Sequence, residues 1–323
     1  MTLPPEAPAA HDDVDPDIRR FVVAMNRGYA QFPDFATLPL PQRRAAAEVV
    51  RTPWRSGGPV MASTLETKIA GCRARIHYPS RSDAPQPALL YIHGGGWTLF
   101  SIDTHDRLMR EYAARAGMVV IGIDYSLSPE ARYPVALDEI VQAHRDLRAR
   151  AGELGILVQA IAIGGDSAGA NLAVAASLRL RDGGEPLPAA MLLNYGAFDP
   201  APTASYVRYD GPDYMLTVAE MDGFWRNYAG EPATLDDPLI APLRADLAGL
   251  PPAFLAIPEC DILADSSRAM AERLAAAGGA VDMRVYPGAT HSFLEAVSIS
   301  VLADKALDDA ARWLVATVRA AAA

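Results

Sequence analysis

Short, continuous apolar runs alternate with helix-length segments along most of the chain. Runs of this kind suit strands that are buried on both faces of a sheet. In order, the runs are ALLYIHG, MVVIGIDY, QAIAIGG, AAMLLNYG, PAFLAIPE and VDMRVYPG. The segments between and after them predict helices over roughly 104–116, 134–149, 168–182, 266–277 and 302–320.

Two more strands precede this alternation. The stretches STLETKIAG and CRARIHYP predict a strand pair that is joined by a turn at Gly71. Strands that alternate with helices imply crossover connections between parallel neighbours. The pattern therefore predicts an α/β fold with an eight-stranded, mostly parallel sheet and helices on its faces.

Two segments depart from the alternation. Residues 1–60 predict helical pieces that are broken by prolines, and residues 198–245 combine aromatic residues with prolines and contain no clear strand. We expect both segments to form a helical cap over the sheet, with residues 61–197 and 246–323 forming the main α/β domain. An ordinary surface excursion is the alternative interpretation of residues 198–245.

Charge and composition exclude several classes of partner. The formal net charge is −10, so the protein would repel phosphate backbones and no nucleic-acid partner is expected. The start, MTLPPEAPAAHDDVDPD, lacks the pattern of a signal peptide, and no apolar window is long enough to cross a membrane. Cys72 and Cys260 form no CxxC pair, which favours a reducing compartment. We therefore expect a cytoplasmic protein with no membrane partner.

One serine lies among residues with almost no side chain, in the stretch GGDSAGAN. Ser167 falls between a predicted strand and a predicted helix, at the strand end where parallel α/β sheets bind ligands. The pattern Gly165-x-Ser167-x-Gly169 fits a nucleophile elbow, a sharp turn whose close packing requires small neighbours. The N–H of Ala168, at the positive end of the helix, is placed to face a developing oxyanion.

A glycine-rich loop, HGGGW, also follows a predicted strand. Glycines let backbone N–H groups approach a ligand without interference from Cβ atoms, and an oxyanion hole needs two or three such donors. The alternative, a phosphate-binding loop, is disfavoured because neither the P-loop ending nor GxGxxG spacing is present. The expected donors are Gly94, Gly95 and Gly96. His93, His105 and Asp106 are interpreted as bracing groups, since no third residue gives them metal-ligand spacing.

An acid and a histidine follow later strands. Asp261 comes after PAFLAIPE and His291 after VDMRVYPGAT, so both are predicted at carboxyl ends of strands. Ser, Asp and His in this order along the chain is one arrangement in which a catalytic triad occurs. His291 is the only histidine that follows the last predicted strand. Asp265 is the rival acid, although it lies further into the loop.

Together these motifs resemble the bacterial hormone-sensitive-lipase-like esterases of the α/β-hydrolase fold, especially their acetyl esterase branch. The resemblance covers about residues 85–300 and rests on HGGGW, DYSLSPEARYP, GDSAG and the segment around His291. It implies that Ser167 is the nucleophile, His291 the base and Asp261 the acid that orients the base. It also implies an oxyanion hole from the glycine loop and Ala168.

The same resemblance implies hydrolysis of small-molecule esters with short acyl groups, acetyl to about hexanoyl, through an acyl-enzyme. It implies no cofactor and no metal, and a homodimer formed through the last strand. Two alternatives stay open. One is an amide hydrolase with the same triad, similar to arylformamidases. The other is a ligand-binding protein without catalysis, similar to the plant gibberellin receptor, which has lost the triad histidine that is present here as His291.

Departures from the family pattern concern the substrate pocket. DIL stands at 261–263 where DPL is usual, and HSF stands at 291–293 where HGF is common. Phe100 stands where a glycine is common, and its ring is expected to narrow or reshape the pocket. The residues expected to contact substrate are Trp97, Phe100, Asp166, Tyr195, Phe224 and Trp225.

Overall fold

The computed structural model describes residues 13–322 and contains one eight-stranded sheet. Its strands are β1 (Ser63–Ile69), β2 (Cys72–Tyr78), β3 (Gln86–Ile92), β4 (Val119–Ile123), β5 (Ile156–Asp166), β6 (Met191–Asn194), β7 (Ala253–Cys260) and β8 (Val281–Thr290). Their spatial order is β1-β2-β4-β3-β5-β6-β7-β8. Pairing is antiparallel for β1 with β2 and for β2 with β4, and parallel elsewhere. The predicted α/β fold with a mostly parallel sheet is thus confirmed.

The central strands are apolar because helices cover both faces of the sheet. Every residue of β4 and of β6 is buried, as expected for strands without a solvent-facing side. The edge strand β1 is exposed over most of its length. The strand β5 begins at Ile156, earlier than the apolar run indicates, because that residue pairs with Gln86 before the register shifts.

The helices lie before, between and after the strands, in the segments that the sequence predicts to be helical. They are α1 (Pro16–Tyr29), α2 (Leu40–Arg55), α3 (Asp106–Ala116), α4 (Val135–Ala149), α5 (Ala168–Asp182), α6 (Ala204–Arg208), α7 (Val218–Ala229), α8 (Ala264–Ala276) and α9 (Val301–Ala322). Nearly all of α5 is buried, and its many alanines allow close packing on the sheet. None of the helices in residues 13–322 is long and apolar enough to cross a membrane.

The two segments predicted to form a cap contact each other. Asp15 caps α1 by accepting from the backbone N–H groups of its first turn, and the apolar face of the helix, including Phe21, is buried. Asn26 of α1 donates to the carbonyl of Pro212, in the second segment, at 3.0 Å. The domain boundaries stay a prediction, and residues 1–12 of the first segment lie outside the described residues.

The topology brings four chain segments to one edge of the sheet. The strands β3, β5, β7 and β8 run parallel to one another, with β6 between β5 and β7. Their carboxyl ends therefore share one edge, which is where α/β sheets bind ligands. Each strand is followed directly by one of the motifs singled out above.

Buried His144 gives a prediction about stability. The ring is fully buried in α4, and neither ring nitrogen has a hydrogen-bond partner in the described part of the chain. Burial lowers the pKa of His144 from 6.5 to about 4. Because the pKa of His144 is lower in the folded state than in the unfolded state, this residue does not reduce the free energy of unfolding above pH 6.5. As the pH falls from 6.5 towards 4, protonation of His144 in the unfolded state lowers the free energy of unfolding.

We expect His144→Leu to remove this pH dependence. The measured quantity is the free energy of unfolding of the variant minus that of wild type. This difference should be about 2 kcal/mol larger at pH 5 than at pH 8. Urea unfolding at the two pH values measures it. Equal gains at both pH values would contradict the assignment.

Candidate active site

Ser167 lies at the sharp turn between β5 and α5. Its backbone has φ 54° and ψ −117°, a strained conformation for a residue with a side chain. A Cβ atom at Gly165 would lie 2.1 Å from the carbonyl oxygen of Ile92, and one at Gly169 would lie 2.0 Å from the same oxygen. The two glycines are therefore required by the approach of the β3 backbone to the turn.

Ser167, His291 and Asp261 form one hydrogen-bonded chain. Nδ1 of His291 donates to Oδ2 of Asp261 at 2.7 Å, since an ionised carboxylate only accepts. Nε2 is then free to accept from the Ser167 hydroxyl, 3.1 Å away. Asp261 is fully buried and also accepts from the N–H of Leu263 at 2.9 Å. These contacts fix the orientation of the carboxylate and, through it, the imidazole.

The rival acid, Asp265, makes different contacts. Its carboxylate caps α6 by accepting from the backbone N–H of Ser205 at 2.9 Å, and it pairs with Arg268. The carboxylate that reaches His291 is Asp261. The geometry therefore favours the acid that directly follows β7.

The glycine loop offers fewer free donors than predicted. The N–H of Gly94 donates to Oδ1 of Asp166 at 3.2 Å, so it is used inside the protein. We revise its predicted role from oxyanion donor to loop support. The N–H groups of Gly95, Gly96 and Ala168 have no hydrogen-bond partner within residues 13–322. These three remain available for an oxyanion beside Ser167.

Asp166 fastens the glycine loop to the serine turn. Besides the Gly94 N–H, its carboxylate accepts from the Tyr91 hydroxyl at 2.8 Å and lies 3.3 Å from Nε2 of His105. Burial opposes the charge of Asp166, but the His105 ring and the Tyr91 hydroxyl outweigh it and lower the pKa. Burial likewise opposes protonation of His105, but Asp166 raises the pKa of that ring. The two form a buried ion pair.

The other bracing groups lie where the sequence places them. His93 is stacked on Tyr125 at 4.3 Å between ring centroids, and the Tyr125 hydroxyl donates to the His93 carbonyl. Burial lowers the pKa of His93 to about 3, which keeps the ring neutral. Asp106 pairs with Arg75 and Arg110 on the surface side of α3. His93 and Asp106 therefore support the loop and its neighbours.

A cavity of about 430 Å³ opens onto Ser167 and His291. Three of the residues expected to contact substrate line it: Phe100, Asp166 and Phe224. Phe224 packs against the glycine loop, since a Cβ atom at Gly96 would lie 2.2 Å from its ring. The cavity wall also includes Tyr29 and Phe35 from the N-terminal segment, so this segment shapes the site.

The other three expected contact residues do not line the cavity. Trp97 is fully buried and stacks on Tyr228 at 4.5 Å, with Trp225 also packed against it at 4.6 Å. Tyr195 lies edge-on to His291 at 5.1 Å and is also buried. We therefore revise their predicted role from substrate contact to support of the cavity wall and of the histidine.

Sequence reasoning missed four charged residues of the cavity wall, Arg43, Arg51, Glu220 and Glu295. Arg51 and Glu295 are the two that are buried. Arg51 follows Val50 in α2 and is four residues after Ala47, so it lies in the stripe that the helix buries. The sequence signal for Arg51 is a charged residue within the apolar face of a predicted helix. Glu295 is in the short helix Phe293–Ser298, directly after His291 and Ser292.

Comparison with known proteins identifies the family. Residues 89–295 match the family with the alpha/beta hydrolase fold. The acetyl esterase of Salmonella typhi is 36% identical over 274 residues, which are 82% of this chain and 84% of the relative. The chain belongs to this family and is a carboxylic ester hydrolase of the bacterial hormone-sensitive-lipase-like type.

Solved structures agree with this assignment. An ester hydrolase from the metagenome of Lake Arreo, complexed with a derivative of bipyridine phosphonate, has TM-score 0.88 and 35% identity, covering 94% of this chain and 98% of that one. A hyperthermophilic esterase from the archaeon Pyrobaculum calidifontis has TM-score 0.87 and 30% identity, covering 95% and 99%. The similarity thus extends through nearly the whole chain.

The contacts of Asp166 predict a kinetic effect. We expect Asp166→Asn to lower kcat for a simple ester by about 10- to 100-fold, because the amide cannot both neutralise His105 and hold the glycine loop. KM should change less, since the cavity wall is preserved. Steady-state kinetics measure both constants.

Two variants serve as controls. Tyr91→Phe removes one hydrogen bond to Asp166 and keeps its charge, so it should have an intermediate kcat. Asp265→Asn, at the same edge of the sheet but away from the loop, should have a nearly wild-type kcat. An Asp166→Asn enzyme with unchanged kcat would show that the loop does not need this carboxylate.

Proposed function

We propose that the protein hydrolyses esters with short acyl groups, acetyl to about hexanoyl, through a Ser167–His291–Asp261 triad. The observation that carries this proposal is the continuous hydrogen-bonded chain among the three residues, with contacts of 3.1 and 2.7 Å. It lies beside the three unpartnered backbone N–H groups of Gly95, Gly96 and Ala168.

In the first step, His291 takes the Ser167 proton on Nε2 while the serine oxygen attacks the ester carbonyl. Asp261 accepts from Nδ1 throughout and stabilises the imidazolium. The carbonyl oxygen becomes an oxyanion, which the free N–H groups bind. The alcohol then leaves with the proton from His291, and the acyl group stays on Ser167.

In the second step, water attacks the acyl-enzyme. His291 takes a proton from this water, and the same N–H groups bind the second oxyanion. Collapse of this intermediate releases the carboxylic acid, and the imidazolium returns its proton to the Ser167 oxygen. The residues named supply every proton transfer in this cycle.

Cavity size and lining support short acyl groups. The cavity measures about 430 Å³, towards the lower end of ligand pockets, and aromatic rings from both cap segments line it. Phe100, whose backbone φ is 71°, contributes its ring to the cavity wall. The acetyl esterase relatives are consistent with this preference. The cytoplasmic location and the homodimer stay predictions.

The test is hydrolysis of p-nitrophenyl esters with acyl chains of increasing length, with wild type beside Ser167→Ala. We expect the wild-type kcat/KM to peak at short chains and fall beyond hexanoyl, because the Phe100 and Phe224 rings of the cavity wall limit the space beside Ser167. The variant should lose turnover by about 10⁴-fold or more while keeping its melting temperature.

A matched anilide series separates ester from amide hydrolysis. Faster cleavage of anilides than of esters would favour the amide alternative. Retained ester turnover in Ser167→Ala would contradict the nucleophile assignment, and a maximum at long chains would contradict the acyl preference.

A further inference from the structure

An ion pair forms part of the cavity wall, away from the triad. The Arg51 and Glu295 side chains are only 5% and 8% exposed, and Nε of Arg51 lies 3.2 Å from Oε2 of Glu295. Both residues line the cavity that holds Ser167. Buried charges are costly unless their hydrogen-bonding capacity is used.

The hydrogen bonding of this pair is incomplete. Arg51 Nη1 donates to the Tyr29 hydroxyl at 2.6 Å, but Nε is buried and outside hydrogen-bonding geometry to Glu295. In the described part of the chain, neither Arg51 Nη2 nor either carboxylate oxygen of Glu295 has a hydrogen bond. Donors and acceptors therefore stand side by side without partners in the cavity wall.

The pair lies close to the reacting groups. The Arg51 guanidinium sits over the Phe100 ring at 3.7 Å. That ring contacts the glycine loop, since a Cβ atom at Gly95 would lie 2.6 Å from it. Glu295 is four residues after His291 in the chain. A substrate held at Ser167 therefore has the pair within the same cavity, with one ring between Arg51 and the oxyanion donors.

We propose that Arg51 and Glu295 form a subsite for a neutral hydroxyl or carboxamide group of the substrate. This proposal rests on the proposed esterase function and names the class of ester that the site takes. A hydroxyl accepts from Arg51 Nη2 and donates to the Glu295 carboxylate, so it satisfies both residues. A carboxamide does the same with its oxygen and its NH₂ group.

Charged groups fit this subsite poorly. Glu295 repels a substrate carboxylate, and Arg51 repels a substrate ammonium group. Each of these charged substrate groups would also lose its hydration on entering the subsite. Glu295 and the Tyr29 hydroxyl offset the burial of Arg51 and raise the pKa of its guanidinium, so Arg51 keeps its charge. Arg43 and Glu220, two other charged residues of the wall, are more exposed than this pair.

The test compares esters that differ only by a hydroxyl in place of a methyl group. On the acyl side, ethyl 3-hydroxybutanoate is compared with ethyl 3-methylbutanoate. On the alcohol side, 2-hydroxyethyl butanoate is compared with propyl butanoate. In wild type, one of the two hydroxyl esters should have about a 10-fold higher kcat/KM than its methyl partner. A factor of this size is expected from one hydrogen bond to a charged group. Ethyl hydrogen succinate should be a poor substrate.

The decisive variant is Arg51→Met combined with Glu295→Leu, which replaces the ion pair by apolar side chains of similar size. We expect it to abolish or reverse the hydroxyl preference, measured as the ratio of kcat/KM within each pair of esters. Arg55→Gln changes a half-buried arginine on the same helix that pairs with Glu48 outside the cavity, and it should preserve the preference. Glu295→Gln, which keeps the size of the side chain, serves if the double variant fails to fold and should weaken the preference.

No hydroxyl preference in wild type, or one that survives in the double variant, would overturn the proposal. An equal fall in kcat/KM for the hydroxyl and methyl esters of a pair in the double variant would also overturn the proposal. Equal losses are expected if the ion pair has only a structural role. Ligand-observed NMR competition between the paired esters on Ser167→Ala measures the same preference without turnover. A failure of esterase activity is thereby distinguished from a failure of the subsite.

Discussion

The site depends on the close approach of two backbones at the carboxyl edge of the sheet. The carbonyl of Ile92, the last residue of β3, occupies the space that side chains at Gly165 and Gly169 would need. This contact lets the glycine loop after β3 and the first turn of α5 share one small region. Ser167 and the free N–H groups of Gly95, Gly96 and Ala168 therefore belong to one rigid unit. Preorganised donors of this kind are the largest single contribution to many hydrolytic rate enhancements.

A buried charge holds this unit together. Asp166 precedes the serine in the chain and binds the loop, so one carboxylate connects the serine turn to the glycine loop. An isolated carboxylate would be unstable in this position, and His105 supplies the compensating charge. The ion pair between Arg51 and Glu295 differs in this respect, because its hydrogen-bonding capacity is not used within the described residues. The first pair is structural, whereas the second is suited to a ligand.

The sheet, and the meeting of Ser167, Asp261 and His291 at its edge, could be predicted because their signals are local. Buried parallel strands read as apolar runs, and each triad residue directly follows such a run. The order of parallel strands then brings residues far apart in sequence to one edge. Asp261 is favoured over Asp265 because it directly follows β7, whereas Asp265 lies further into the loop. The 2.7 Å contact between Asp261 and His291 agrees with this preference.

The cavity wall could not be predicted in the same way, because it depends on packing between distant segments. Trp97 and Trp225 are aromatic residues near the motifs, but behind the wall Trp97 packs against Trp225 and Tyr228. Arg51 comes from a helix more than a hundred residues before Ser167. The glycine pattern predicts the Gly94 N–H as a donor, because the sequence does not show which groups Asp166 binds.

The most direct test of the central claim is covalent labelling of the nucleophile. Wild-type protein is treated with diethyl p-nitrophenyl phosphate and digested, and the modified peptide is identified by mass spectrometry. The account predicts one phosphoryl adduct per chain, on Ser167, formed at a rate that falls when His291 is replaced by Ala. Labelling of another residue, or no labelling of folded protein, would contradict it.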